Sequence, residues 1–310
     1  MNKLIYRILI PFIGILALAT LPLCAQAVTQ LEPEDLPAFG RISLGGDFAL
    51  ELQYGKQFRV QVDVEELYAE FVQMAVEDST LTVSVDERRV PGDVRRLYRN
   101  REASQPVFRV SVTMPETLSY LRLSGNASLA SADDLVFDPD EFGLRATDNA
   151  RTSDFVVRSG RVSLDMDKKS DVQMRSESDM VFVRLAGNAN LTLAQRTKRT
   201  VVNSVANSSV QLEGETEELE VQMKGTSKAI LNGEAGRVSF DMANSTNANA
   251  ISLECREAYA AMNGICTLSL SVTDDLYVDM SHGASLYFLN EPNVHVRYVK
   301  NSSLMPYDRK

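Results

Sequence analysis

The residue types that could carry chemistry are few, and their spacing argues against most of it. Only two histidines, His282 and His295, occur in 310 residues, so neither a histidine-based zinc site nor a His-Glu-x-x-His helix can be built. No Gly-x-Ser-x-Gly elbow, glycine-rich phosphate loop or Cys-x-x-Cys pair is present. His282 lies between Ser281 and Gly283, a setting for a turn residue rather than a general base. Asp138, Asp140 and Gly143 imitate the start of an EF-hand loop, but Phe142 fills a ligand position and Asn149 stands where the bidentate glutamate belongs. Asp165, Asp167 and Asp171 lie close together in sequence. Met166, between the first two, shares a strand pattern with Val162 and Leu164, which turns those two aspartates outward onto a solvated face. No catalytic, cofactor-binding or metal-ligating residue is therefore assigned, and no cofactor is implied. The one enzymatic chemistry compatible with such a composition is a pair of carboxylates working as acid and base on a carbohydrate.

The elements available to position such groups are strands. Ile42 and Leu44, then Phe48, Leu50 and Leu52, then Phe58, Val60, Val62 and Val64 alternate with polar neighbours between glycine punctuation at Gly45-Gly46 and Gly55. Alternation with period two between turn residues indicates strands. Leu81, Val83 and Val85 repeat the pattern, as do Phe108, Val110 and Val112. Residues 86–106 between them form an arginine-rich insertion, expected as a solvated loop or short helix.

Beyond Leu121 the sequence repeats itself. Apolar triplets at alternate positions begin at Val162, Val181, Leu219, Val238 and Leu276, separated by 19, 38, 19 and 38 residues. The skipped phases fall at Thr200 and Glu257, with Val202 and Tyr259 expected to hold the pattern. Small or polar corners follow at Lys169, Asn188, Asn207, Thr226, Ser245, Gly264 and Gly283, and each leads into a second alternating segment such as Leu191 and Leu193 or Val210 and Leu212. Ser124 to Ser128 and Thr147 to Ala150 carry the same corner at looser spacing. A fixed period near 20 without the leucine-rich-repeat core or an outer helix implies a β-solenoid, with two short strands per 19-residue coil. Stacked at roughly 4.8 Å per coil, nine coils would make a rod of roughly 40 Å. Asn188 and Asn207, one coil apart, are placed to form an amide ladder.

Address and charge bound the partners. Lys3 and Arg7, an apolar run from Ile8 to Leu23 and the Ala25-Gln26-Ala27 site form a secretory signal peptide, with cleavage expected after Ala27. Cys24 raises lipidation, but Leu23 before it is bulky where a small residue is wanted. No later segment has the apolar length of a transmembrane helix. Removing Lys3 and Arg7 from the 32 basic residues leaves 30 against 42 acidic ones, a formal charge of −12, which disfavours nucleic acid and anionic membranes as partners. Cys255 and Cys266 remain in a compartment that permits, without requiring, a disulfide. Cys255 shares the inward parity of Ile251 and Leu253.

The segment Leu121-Arg122-Leu123-Ser124-Gly125-Asn126-Ala127-Ser128 and the later His282-Gly283-Ala284-Ser285-Leu286-Tyr287-Phe288 resemble the auto-transporter adhesin head domain, also called the GIN domain. The resemblance covers about residues 40 to 295 and implies a right-handed β-helix of the kind common in secreted and envelope proteins of Bacteroidetes. It brings no catalytic or binding residues with it. The chain departs from the family pattern in replacing the corner glycine in its middle coils and in carrying the arginine-rich insertion.

The combined expectation is an all-β, right-handed β-helix. Its parts are a signal peptide at 1–27, an acidic leader or linker at 28–38, an N-terminal strand region at 39–118, repeats at 119–290 and a cap or tail at 291–310. Function is expected to be that of a non-enzymatic, exported, adhesin-like module in the periplasm, at the outer membrane or outside the cell. Its ligand would be a glycan or protein, with self-association through exposed solenoid edges. A carbohydrate-active enzyme or polysaccharide-binding protein is the alternative.

Overall fold

An alternating pattern needs an extended backbone with one dry side, and a constant repeat length lets equivalent positions stack. Both conditions are met in a β-solenoid of about 10 turns with about 19 residues per turn, 69% strand and 4% helix. A computed structural model describes residues 27–33, 36–97, 106–131 and 135–307. The signal-peptide reading and Cys24 lie outside the described residues, as do residues 98–105 of the arginine-rich insertion. Among the described residues no helix is long and apolar enough to cross a membrane.

Each regular coil is one long strand rather than the two short strands expected. Asp171–Leu185, Asn190–Ser204 and Ser209–Met223 each run 15 residues, paired in parallel with the coils on either side. The strand bends without ending because the ladder resumes immediately after a single skipped residue. Ser178 pairs with Thr197 and Met180 with Arg199, leaving Asp179 and Lys198 between them. Gly160, Glu217 and Gly236 occupy the same skipped column in neighbouring coils.

The inward columns are the triplets. Val162, Leu164 and Met166, Val181, Val183 and Leu185, and their successors to Leu276, Val278 and Met280 are all buried. Thr200 keeps its phase and is fully buried, its hydroxyl donating to Gln195 Oε1 at 2.9 Å. The phase expected at Glu257 and Tyr259 is corrected. The ladder slips between Ile230 and Asn232, so that Val238 pairs with Ala258 and Phe240 with Ala260. That coil holds one extra residue, and Ala258, Ala260 and Met262 fill the core while Glu257 and Tyr259 face solvent.

The corners fall where the repeat places them, but the strained residue stands one position earlier in most. Lys168, Gly187, Ala206, Gly225 and Asn244 take left-handed backbone with φ between 61° and 86°, each immediately before the corner residue expected from the sequence. Crowding as well as φ favours glycine at two of them: a Cβ on Gly187 would lie 2.8 Å from the Lys168 nitrogen, and one on Gly225 would lie 2.7 Å from the Ala206 carbonyl oxygen. The amide ladder forms, with Asn207 Nδ2 donating to Asn188 Oδ1 at 3.0 Å and Thr226 Oγ1 donating to Asn207 Oδ1 at 3.2 Å. A second ladder links Asn149, Asn126 and Asp47 at 2.8 and 2.6 Å.

The two ends differ. At the start, Arg59–Glu65 pairs antiparallel with Phe108–Met114, and Val72–Glu77 with Thr80–Val85. The acidic leader, expected as a linker, contributes the strand Val28–Leu31, antiparallel to Arg59–Glu65. Its lack of apolar period is immaterial there, because backbone pairing satisfies a free edge whatever the side chains. The arginine-rich insertion holds a short helix, Gly92–Leu97, and buries Val90. At the far end the tail forms a further rung, Asn293–Lys300 on the coil Thr267–Ser281 and Ser303–Pro306 on Ser285–Leu289.

Replacing Ala206, at φ 62°, by glycine relieves a left-handed residue, and chemical denaturation should show stability raised by up to about 1 kcal/mol. Gly214→Ala should act in the opposite direction. Its Cβ would fall 1.9 Å from the Gln195 carbonyl oxygen, a clash expected to lower stability by roughly 1–3 kcal/mol in the same measurement.

Candidate functional site

The kink in each coil builds a groove along the rod. Residues two positions before the skipped one stack in register as a rim, Arg158, Glu177, Arg196, Glu215, Glu234 and Glu254. The skipped column, with Asp179, Lys198, Glu217 and Arg256, makes the opposite rim, and the enclosed space measures about 980 Å³. Six stacked rungs give it a length of about 24 Å. Its floor is the column between the rims, Ser178, Thr197, Thr216, Ala235 and Cys255.

The floor changes character along its length. In the middle it is hydroxylated and internally satisfied: Thr197 Oγ1 donates to Thr216 Oγ1 at 3.0 Å and lies 2.9 Å from Thr200 Oγ1. Thr216 Oγ1 also lies 3.1 Å from the Glu218 carbonyl oxygen. Further along, Ala235 and Cys255 make it apolar. Burial pushes the Cys255 thiol up to about 12, with the Glu254 carboxylate adding to the effect. A thiol so held is a packing group, not a nucleophile.

The rims also divide. Toward the start of the rod, opposite charges alternate from coil to coil. Arg158 Nε lies 3.0 Å from Glu177, Arg196 Nε 3.4 Å from Glu215 and Lys198 Nζ 2.7 Å from Asp179. The Asp179 carboxylate raises the Lys198 pKa. Toward the far end Glu215, Glu234 and Glu254 are successive members of one column, with Glu217 on the opposite rim, so the field there is negative despite Arg256.

A second hollow, of about 530 Å³, lies near the far end beside the column Tyr259, Tyr277 and His295. Tyr259 stacks on Tyr277 and Tyr277 on His295, each with ring centroids 4.6 Å apart. Asp275 Oδ1 lies 2.7 Å from His295 Nε2. The Glu257 carboxyl is held below its ordinary value by the Tyr259 hydroxyl that donates to it and by Arg237.

The residues considered from the sequence are dispersed. His282 is a turn residue with φ 62°, remote in sequence and column from His295. Phe142 is buried against Phe137 and Phe155 at 5.9 and 6.0 Å, so Asp138 and Asp140 flank a core cluster rather than a loop. Asp165 faces outward, 3.6 Å from Arg145 Nε, and Asp167 accepts the Lys168 backbone N–H at 2.7 Å. Among the described residues no three or more His, Cys, Asp or Glu side chains come together as a metal would need. Cys255 and Cys266 are both buried and unbridged. The acidic run Glu213 to Glu220 lies within the strand Ser209–Met223. Glu218 lies 4.0 Å from Arg199 and 3.6 Å from Arg237, and Glu220 also pairs with Arg199. Sequence reading missed the groove, although charged residues recurring at the repeat period were its signal.

A family described as "Putative auto-transporter adhesin, head GIN domain" matches residues 38–214 and 182–292. A solved "putative adhesin" from Parabacteroides merdae is 15% identical, with 91% of this chain and 96% of that one covered and a TM-score of 0.45. A "putative adhesin" from Parabacteroides distasonis is 14% identical, covering 91% and 97%, with a TM-score of 0.46. A "putative lipid binding protein" from the same species is 14% identical, covering 91% and 97%, with a TM-score of 0.47. No curated protein matches the chain.

Two titrations test the electrostatics. Because the folded Cys255 thiol titrates at about 12 against an ordinary 9.0, it should resist alkylation at neutral pH and react on unfolding. Above pH 9 the unfolded chain releases that proton first, so stability should fall as pH rises toward 12. Asp148 has the opposite sign. The Lys168 ammonium and the Gly125 N–H hold its carboxyl below the ordinary 3.8, so its contribution is present at neutral pH and lost as pH falls through the depressed value. Lys168→Ala should bring the Asp148 carboxyl resonance back toward 3.8 in an NMR titration.

Proposed function

The chain belongs to the family of auto-transporter adhesin head (GIN) domains, and on that footing we propose that it is an exported, non-enzymatic module of the cell envelope or surface that binds an extended polysaccharide. The observation that carries this reading is the longitudinal groove, about 980 Å³ in volume, running across six coils. An extended polymer meets such a groove rung by rung, because each coil presents the same backbone geometry one strand spacing further on. Carboxylate rims suit the hydroxyl and ammonium groups of a neutral or amino-substituted glycan, and the acidic far half disfavours a polyanion.

The absence of catalysis is part of the proposal. Glycoside cleavage by two carboxylates requires one of them to be held protonated by its surroundings. The enzymatic alternative rests on the carboxylates along both rims, and it shares the same groove. Self-association through an exposed edge of the solenoid is compatible with either reading.

A glycan array probed with the exported protein, followed by calorimetry on the strongest hit, tests the proposal. Glu234→Lys with Glu254→Lys should change affinity for that glycan by at least about tenfold, equal to 1.4 kcal/mol, while circular dichroism stays unchanged. Undiminished binding by that variant would place the site elsewhere, and release of shortened products from the bound glycan would establish the enzyme instead.

A further inference from the structure

Among the described residues the far end of the solenoid is open. Asn293–Lys300 lies on the preceding coil by one edge, and no described strand pairs with its other edge. All eight of its residues are exposed. Val294, Val296 and Val299 stand over Leu276, Val278 and Met280, in columns that are core in every other coil, yet Val296 is 54% exposed. An uncovered core column beside a free row of N–H and C=O groups is what sheets avoid or fill.

A bulge gives this strand an unusual symmetry. Val296 pairs with Val278 and Tyr298 with Asp279, so Arg297 is an extra residue. Side chains three apart in a regular strand face opposite ways. Here the bulge puts Val296 and Val299 on the same inner side, with His295, Arg297, Tyr298 and Lys300 outside. Reversing the strand about the midpoint between Arg297 and Tyr298 therefore lays inner residues on inner and outer on outer.

We propose that this strand pairs antiparallel with its own copy, joining two solenoids end to end in a closed twofold dimer. The proposal rests on the self-association named above and adds the end, the symmetry and the register. Val296 meets Val299 of the second copy, and Arg297 meets the second copy's Tyr298, each contact occurring twice. His295 meets the second copy's Lys300. The cations do not bar the approach, because Asp279 lies 2.7 Å from Arg297 and Asp275 lies 2.7 Å from His295. The second rung at this end contributes less, since Pro306 in Ser303–Pro306 offers no N–H. The opposite end finishes in antiparallel strands and does not present the parallel edge that head-to-tail stacking needs, so the assembly closes at two copies.

The exported full-length product, studied by sedimentation equilibrium and small-angle scattering, should be a dimer with a maximum dimension near twice the single rod, about 100 Å. Val296→Lys should weaken dimerisation by at least about 100-fold while leaving the strand signal in circular dichroism. Val296→Cys combined with Val299→Cys should give a covalent dimer on oxidation, because positions three apart in one strand lie beyond the 7 Å that a disulfide spans. A monomer at concentrations up to about 100 μM would overturn the proposal. A dimer indifferent to Val296→Lys and not cross-linked by the cysteine pair would overturn this edge while leaving self-association intact. Neither result bears on glycan binding in the groove.

Discussion

The register between successive coils is the constraint on which the rest of the molecule depends. Each strand shares its backbone hydrogen bonds with the coil before and the coil after, so neither can shift without breaking a ladder on both sides. A fixed register demands a fixed contour, and that demand makes the period 19 residues where Met180 pairs with Arg199 and Arg199 with Glu218. Where the contour departs from it, at the coil containing Ala258, the ladder absorbs the change in local slips between Ile230 and Asn232 and between Ala250 and Glu254. The inner columns Val238, Ala258, Leu276 and Phe240, Ala260, Val278 stay continuous through both. Burial there holds the phase more firmly than the spacing does.

The same register acts on the surface. Because outward positions also stack, a charge in one coil always meets the equivalent position of the next, and alternation of sign becomes the inexpensive arrangement. Each exposed pair contributes at most about 1 kcal/mol, so the ladders of Arg158, Glu177, Arg196 and Glu215 mainly avoid repulsion. Glu234 and Glu254 break the alternation, and they do so beside the groove. Binding surfaces tolerate such local costs where the interior would not.

Much of the architecture was legible before any coordinates, for a physical reason. Burial on one side of a strand writes itself as alternation, and stacking writes itself as a period, so Val162 through Met280 and the corners from Lys169 to Gly283 could be located directly. Features carried by backbone geometry left weaker marks. The kink at Asp179 and Lys198 has no residue type in common with Gly160 or Gly236, and the left-handed residue before most corners is Lys, Gly, Ala, Asn or His. The strand Val28–Leu31 pairs by its backbone, with Leu31 as its one buried side chain. Glu257 misled because nothing in its neighbourhood signals an inserted residue. The groove combined both difficulties, since its charges keep the period while the bend that makes them face one another does not.

Hydrogen bonds between coils point along the rod, and this gives the protein a direction of weakness. A pull applied lengthwise loads one interface at a time, as in a zipper, and the first to yield would be a terminal rung such as Asn293–Lys300, held on one edge only. A sideways load is divided among all the rungs it crosses and is resisted by the strands' covalent backbone. The rod therefore bears force best when it is loaded across its length, the direction perpendicular to the groove that runs along it.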